Sequence, residues 1–144
     1  WLPVIPLGRA DARLQPVWVR DVARAIADSL DAQITVHRCY ELAGPEVWSL
    51  RELIRFAGEL SGYRRRVIGL PDSLGRLQAM LLEFAPAALR MSRDNFATLS
   101  IDNVAGGPIA PELRIEPTPL GAVAPSYLDE HELRLAEERR RAGH

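Results

Sequence analysis

His37 and Cys39 lie two residues apart, and on an extended strand an imidazole and a thiol at that spacing share a face. A cysteine nucleophile needs a base that is itself oriented, plus donors for the developing oxyanion. No acid or oxyanion element accompanies this pair, so no Cys/His dyad is encoded. His131 and His144 are distant and show no ligand spacing, so no metal site is expected. Arg13 and Gln15 share a strand face while Trp18 falls on the other; all three are candidate contacts for a substrate or an anion. Trp18 suits core packing or the wall of a pocket for a flat ring. Arg93, opening a short helix with Asp94 and Asn95 after Ser92, is the best candidate for holding a phosphate-like anion in bidentate fashion. Asp102 and Asn103 suit a turn, and Asn103 joins the candidate contacts. Asp21 reads as a helix cap or a strand–helix anchor rather than as an acid or base.

All 18 basic residues are arginine; the sequence has no lysine. Arginine stays protonated, so Schiff-base chemistry, a tuned amine base and a lysine-bearing phosphate loop are excluded for this sequence. Formal net charge is −1, and the runs Arg64–Arg66 and Arg139–Arg141 are short and lack interleaved aromatics. Neither nucleic acid nor an anionic membrane is an expected partner. The single cysteine cannot form an internal disulfide, and its apolar neighbours suggest a buried thiol in a reducing compartment, hence a cytoplasmic setting. No apolar run is long enough to span a membrane.

These residues must be positioned by short strands and amphipathic helices. At 144 residues the chain fits a single domain, here a lobe spanning residues 1–144. Residues 1–13, with Pro3, Pro6 and Gly8, read as an extended lead-in. Residues 14–19 are β-rich, with Pro16 marking an edge or a strand start. Val22, Ile26 and Leu30 recur at helical spacing, and residues 38–42 read as a second strand. Ser49 and Glu52 form a capping box, with Trp48 and Leu53 placed as a hydrophobic staple. Leu50, Leu53, Ile54, Ala57 and Leu60 make the buried stripe of that helix, and Gly62 its stop. Residues 64–70 read as a strand, and 73–84 as a helix with Leu74, Leu77, Leu81 and Phe84 on one face. Residues 92–99 suit a further short helix. Thr118 as cap and Pro119 in the first turn open a helix running to about Leu128. Residues 129–144 form a charged tail.

The order of these segments resembles the C-terminal half of extended and atypical short-chain dehydrogenases/reductases, the NAD-dependent epimerase/dehydratase group. The residues that carry the resemblance are PVWVRDVARA (16–25), YELAG (40–44) with SLREL (49–53), DNVA (102–105) and LRIEPTPL (113–120). LQPV (14–17), YELAGP (40–45), SRDN (92–95) and AVAPSYL (122–128) draw it toward the branch that includes the NAD(P)H-binding accessory subunit of respiratory complex I. The likeness covers about Leu7–Leu128, nearly the whole chain, with residues 14–128 as the family-like region. It implies an α/β protein, the C-terminal portion of an NAD(P)-binding Rossmann-type fold, mostly helical with a few short strands.

It further implies that the N-terminal dinucleotide-binding half lies outside this sequence and would hold NAD(P)H. The lobe itself would bind no cofactor and catalyse nothing alone. Its partners would be that absent half, respiratory complex subunits at the inner membrane, or a second copy covering exposed sheet edge. The departures are specific. No Gly-x-Gly-x-x-Gly turn and no Tyr-x-x-x-Lys pair occur. Where sugar-nucleotide enzymes of the group carry a diphosphate-gripping arginine and a histidine, this sequence has Leu14 and Trp18. An oxidoreductase or epimerase acting on a sugar nucleotide or other small molecule, and a non-catalytic interaction module using the 74–84 helix and the charged C-terminal tail, are the alternative readings.

Overall fold

The computed structural model describes residues 3–31, 35–82 and 93–128. They cluster into two compact units: residues 1–14 with 48–103, and residues 15–47 with 104–144. The charged tail and residues 83–92, among them the expected helix positions 83, 84 and 92, lie outside the described residues.

The first unit is built on two parallel strands, β1 (Val4–Gly8) and β4 (Arg66–Leu70), in register from Val4 opposite Arg66 to Gly8 opposite Leu70. β1 arises in the stretch expected to be only an extended lead-in. A lone strand has no local signature; it is made a strand by its partner sixty residues on. Leu7, Ala10 and Val67 form the core, with Ile5 and, from helix α2 (Leu50–Leu60), Leu50 and Ile54 packed on it. A second, antiparallel pairing joins β2 (Arg13–Leu14) to β3 (Trp48–Ser49).

Parallel strands leave unpaired edge groups that are costly when covered. On β1 the amide of Gln78 supplies what a neighbouring strand would. Its Nε2 donates to the Pro6 carbonyl at 2.8 Å, and its Oε1 accepts the Gly8 N–H at 3.3 Å. Gln78 belongs to helix α3 (Asp72–Leu82), which lies close enough because Gly75 and Gly8 lack side chains. A Cβ on Gly75 would stand 2.7 Å from the ring of Phe96, a buried residue of helix α4 (Arg93–Thr98). This corrects the expected packing of α3. Its buried residues are Gly75 and Ala79, while Leu74, Leu77 and Leu81 face outward, Leu81 at 64% exposure.

α2 follows its sequence closely. Ser49 is the N-cap, its hydroxyl accepting the Glu52 N–H at 3.2 Å, while Glu52 Oε2 accepts the Ser49 N–H at 2.7 Å. Trp48 packs its ring on Phe56, with centroids 5.3 Å apart. Gly62 adopts φ 75°, the left-handed stop expected of it. The stripe Leu50, Leu53, Ile54, Ala57 and Leu60 is half-buried throughout rather than fully buried.

The second unit holds helix α1 (Val19–Asp31) and two short helices, α5 (Leu120–Val123) and α6 (Pro125–Leu128). No strand forms over residues 15–19 or 38–42. Pro16 has no N–H to give a ladder, and the helix starts at Val19. Residues 38–47 are tied instead by side chains: Glu41 Oε2 accepts the Gly106 N–H at 2.9 Å. Without strand alternation, Cys39 is exposed rather than buried. α1 is a helix as expected, but Ile26 and Leu30 lie outward, Leu30 at 82% exposure, and Asp21 and Ala25 are the buried positions. Pro119, not Thr118, is the cap of α5.

Among the described residues no helix is long and apolar enough to cross a membrane. The hydrogen bonds from Ser49 hold the Glu52 carboxyl below its ordinary value of 4.5. A depressed folded value means the unfolded chain binds the extra proton, so the stabilisation is complete above pH 4.5 and fades as pH falls through the lower folded value. The gap in urea midpoint between wild type and Glu52→Gln should therefore be present at neutrality and close in acid, as pH falls through the lowered folded value. Ser49→Ala should cost about 1 kcal/mol by the same measurement.

Candidate functional site

The second unit contains a groove of about 360 Å³. Residues 16–19 form one wall, and Thr118, α5 and α6 form the other. Two contacts tie the walls together. Asp21, in the first turn of α1 and 2% exposed, accepts the Thr118 N–H on Oδ2 at 2.7 Å. Trp18 Nε1 donates to the Tyr127 hydroxyl at 3.4 Å.

Asp21 anchors the start of α1, but to Thr118 rather than to a preceding strand, and it reaches much further along the chain than a cap would. Its Oδ1 is buried without a hydrogen-bond donor, since the Arg24 guanidinium stands 3.9 Å away. Trp18 is half-buried and lines the groove, in keeping with the pocket-wall alternative. The Arg20 guanidinium lies 5.4 Å from the centre of the Trp18 ring.

Gln15 also belongs to this unit, but both ends of its amide are engaged by backbone. Nε2 donates to the Gly44 carbonyl at 2.7 Å and Oε1 accepts the Ala105 N–H at 3.0 Å. Gly44 permits this approach: a Cβ there would meet the Pro16 carbonyl oxygen at 1.8 Å. Nearby, Tyr40 donates to Glu112 at 3.2 Å, and desolvation together with that carboxylate holds the phenol above its ordinary range.

The remaining sequence candidates lie in the first unit. Arg13 is exposed, and its backbone N–H donates to Asp102 Oδ1 at 3.1 Å. The Asn103 N–H donates to the Arg13 carbonyl at 2.9 Å, so Asn103 sits at a backbone bridge. Arg93 begins α4, and its side chain lies outside the described residues. No described contact joins these side chains into one cluster.

The first unit has its own polar pocket, of about 440 Å³, beyond the carboxyl ends of β1 and β4. That is where open parallel sheets place ligands. Arg9 and Arg51 line it, each carrying a carboxylate: Arg9 Nη2 to Asp72 at 3.0 Å, Arg51 Nη2 to Asp11 at 3.0 Å. Arg9 has left-handed backbone at φ 57° and stacks over Phe96 at 5.4 Å. Arg51 crosses Gly69, where a Cβ would come within 2.7 Å of its Nη2. With Asp102 also in the lining, three carboxylates face two guanidiniums, a balance that suits a hydroxylated neutral ligand better than a second anion. Nothing in the sequence singles out Arg9 or Arg51. Their convergence requires the β1–β4 pairing.

Among the described residues no group of three or more His, Cys, Asp or Glu could hold a metal ion. No protein-family model matches the chain. The chain is similar to the protein named NADH dehydrogenase [ubiquinone] 1 alpha subcomplex subunit 9, mitochondrial, of Arabidopsis thaliana, with 33% identity over 85 residues. Those residues are 58% of this chain and 21% of the relative, so the match spans about a fifth of the relative's length.

Removing the Asp21 carboxylate leaves the part-buried Thr118 N–H without its acceptor. Asp21→Ala should lower stability by about 2 kcal/mol in urea unfolding, whereas Asp21→Asn, which keeps an acceptor oxygen, should cost markedly less.

Proposed function

We propose that this chain is the substrate- and partner-side lobe of an NAD(P)-binding short-chain-dehydrogenase-like protein working in a respiratory NADH dehydrogenase. Its role there is structural or cofactor-stabilising, and it does not catalyse alone. The observation that carries this reading is the 33% identity over 85 residues to a subunit named for that complex. The order of the YELAG, DNVA and LRIEPTPL segments supports it, and the parallel β1–β4 pair with helices is compatible with an α/β fold. Contact with the inner membrane would then be peripheral, through partner subunits.

NAD(P)H does not fit the residues described here. A dinucleotide's pyrophosphate needs a Gly-rich turn from a strand into a helix. β1 instead leads through Arg9 into β2, and β4 leads through Pro71 into α3 with no glycine run. Any cofactor site of the parent protein would therefore draw on residues outside this sequence, and no reaction step is assigned to this chain.

The outward face of α3 supports a second reading, that of a non-catalytic interaction module. Leu74, Leu77 and Leu81 recur at helical spacing and remain exposed. Both readings are open to experiment. Calorimetric titration with NADH should show no saturable binding to the 144-residue chain. Stoichiometric NADH binding to that chain would overturn the first reading. Tagged parent protein should co-purify with respiratory subunits in both readings, whereas turnover of a nucleotide sugar by the parent would exclude both.

A further inference from the structure

The groove of the second unit is walled mostly by hydrocarbon, with the polar side chains of Trp18, Thr118 and Tyr127 among its lining. Leu120, Val123, Ala124, Tyr127 and Leu128 recur at the spacing of a single helical stripe, and all five line the groove. Ala124, between the two short helices, keeps helical backbone at φ −57° and ψ −38°. The stripe is therefore about 12 Å long at the helical rise. Its length and its aliphatic character suit one extended hydrocarbon chain better than a compact polar ligand.

Among the described lining residues the polar side chains are those of Trp18, Thr118 and Tyr127, and none of them is anionic. The Tyr127 hydroxyl accepts the Trp18 indole N–H and so keeps its own hydrogen to give. The Arg20 guanidinium lies 5.4 Å from the centre of the Trp18 ring, which puts a positive charge beside a side chain that lines the groove. Asp21, the acid adjacent to Arg20, is 2% exposed and accepts the Thr118 N–H through Oδ2. A ligand matching this pattern is apolar along its length and ends in an anionic acceptor.

We propose that the groove binds the single aliphatic chain of a free carboxylic acid. The chain lies along the 120–128 stripe and the carboxylate sits at the Trp18–Tyr127 rim, where Arg20 balances its charge. This assignment does not rest on the respiratory reading, since it is read by direct binding rather than by partners or NADH.

The test is calorimetric titration of the 144-residue chain with decanoate and, separately, with decanol, both below their aggregation concentrations. Both should saturate, with decanoate about three- to fivefold tighter, a preference that weakens in high salt. Octanoate, two methylenes shorter, should bind roughly tenfold more weakly than decanoate. Arg20→Gln, an exposed substitution, should bring decanoate to the level of decanol and leave decanol unchanged. Absence of saturable binding by either ligand, or decanoate binding undiminished in Arg20→Gln, would overturn the proposal. So would binding to phosphatidylglycerol vesicles without binding to monomeric decanoate, which would mark the groove as a membrane-surface contact instead.

Discussion

In the second unit a carboxylate almost wholly removed from water accepts a backbone N–H from a residue 97 positions away. Burying Asp21 is costly, and the hydrogen bond from Thr118, charge-assisted and short, is what offsets that cost. The bond fixes where α1 begins relative to the segment that opens α5. Once those two stretches are held together, Val17 and Trp18 face the 120–128 stripe, and the groove follows from their side chains. Neither α5 nor α6 exceeds four residues, too short to be stable by local propensity alone. Their helical form depends on what they pack against.

The first unit solves a different problem. Two parallel strands have few means of satisfying their outer edges, and Gln78 answers for β1 by presenting an amide where a third strand's peptide would be. The close approach of α3 that this requires explains its inverted packing: glycine and alanine inward, leucine outward. Gly8, Gly75 and the Phe96 ring form the point of contact. The carboxyl ends of the strands then open into the polar pocket, where Arg9 and Arg51 converge from segments about forty residues apart.

Elements governed by short-range chemistry were legible. The capping box, the Gly62 stop, the 66–70 strand and the helical character of α1 and α3 depend on neighbours within a few residues, and each formed close to where the residues indicate. Burial was less legible. Periodicity marks an apolar stripe but does not say whether anything covers it, and Leu30, Leu77 and Leu81 are uncovered within the described residues. Strands at 15–19 and 38–42 failed for want of a partner, and Cys39 became exposed with them. Of the candidate contacts, Trp18 lines a groove, Gln15 is occupied by backbone and Asn103 sits at a backbone bridge.

What the sequence determined by itself is the chemistry available: arginine without lysine, no dinucleotide turn, a strong cap at Ser49 and a carboxylate at the mouth of α1. Those properties reside in residue identity and in spacings of three or four. Tertiary structure decided which of them meet. That Asp21 accepts from Thr118, that Gln78 completes a strand edge, and that Arg9 and Arg51 share a pocket are pairings over 40 to 100 residues of chain. Such pairings carry no local signal, because the energy that selects them comes from burial and hydrogen bonding in the assembled unit.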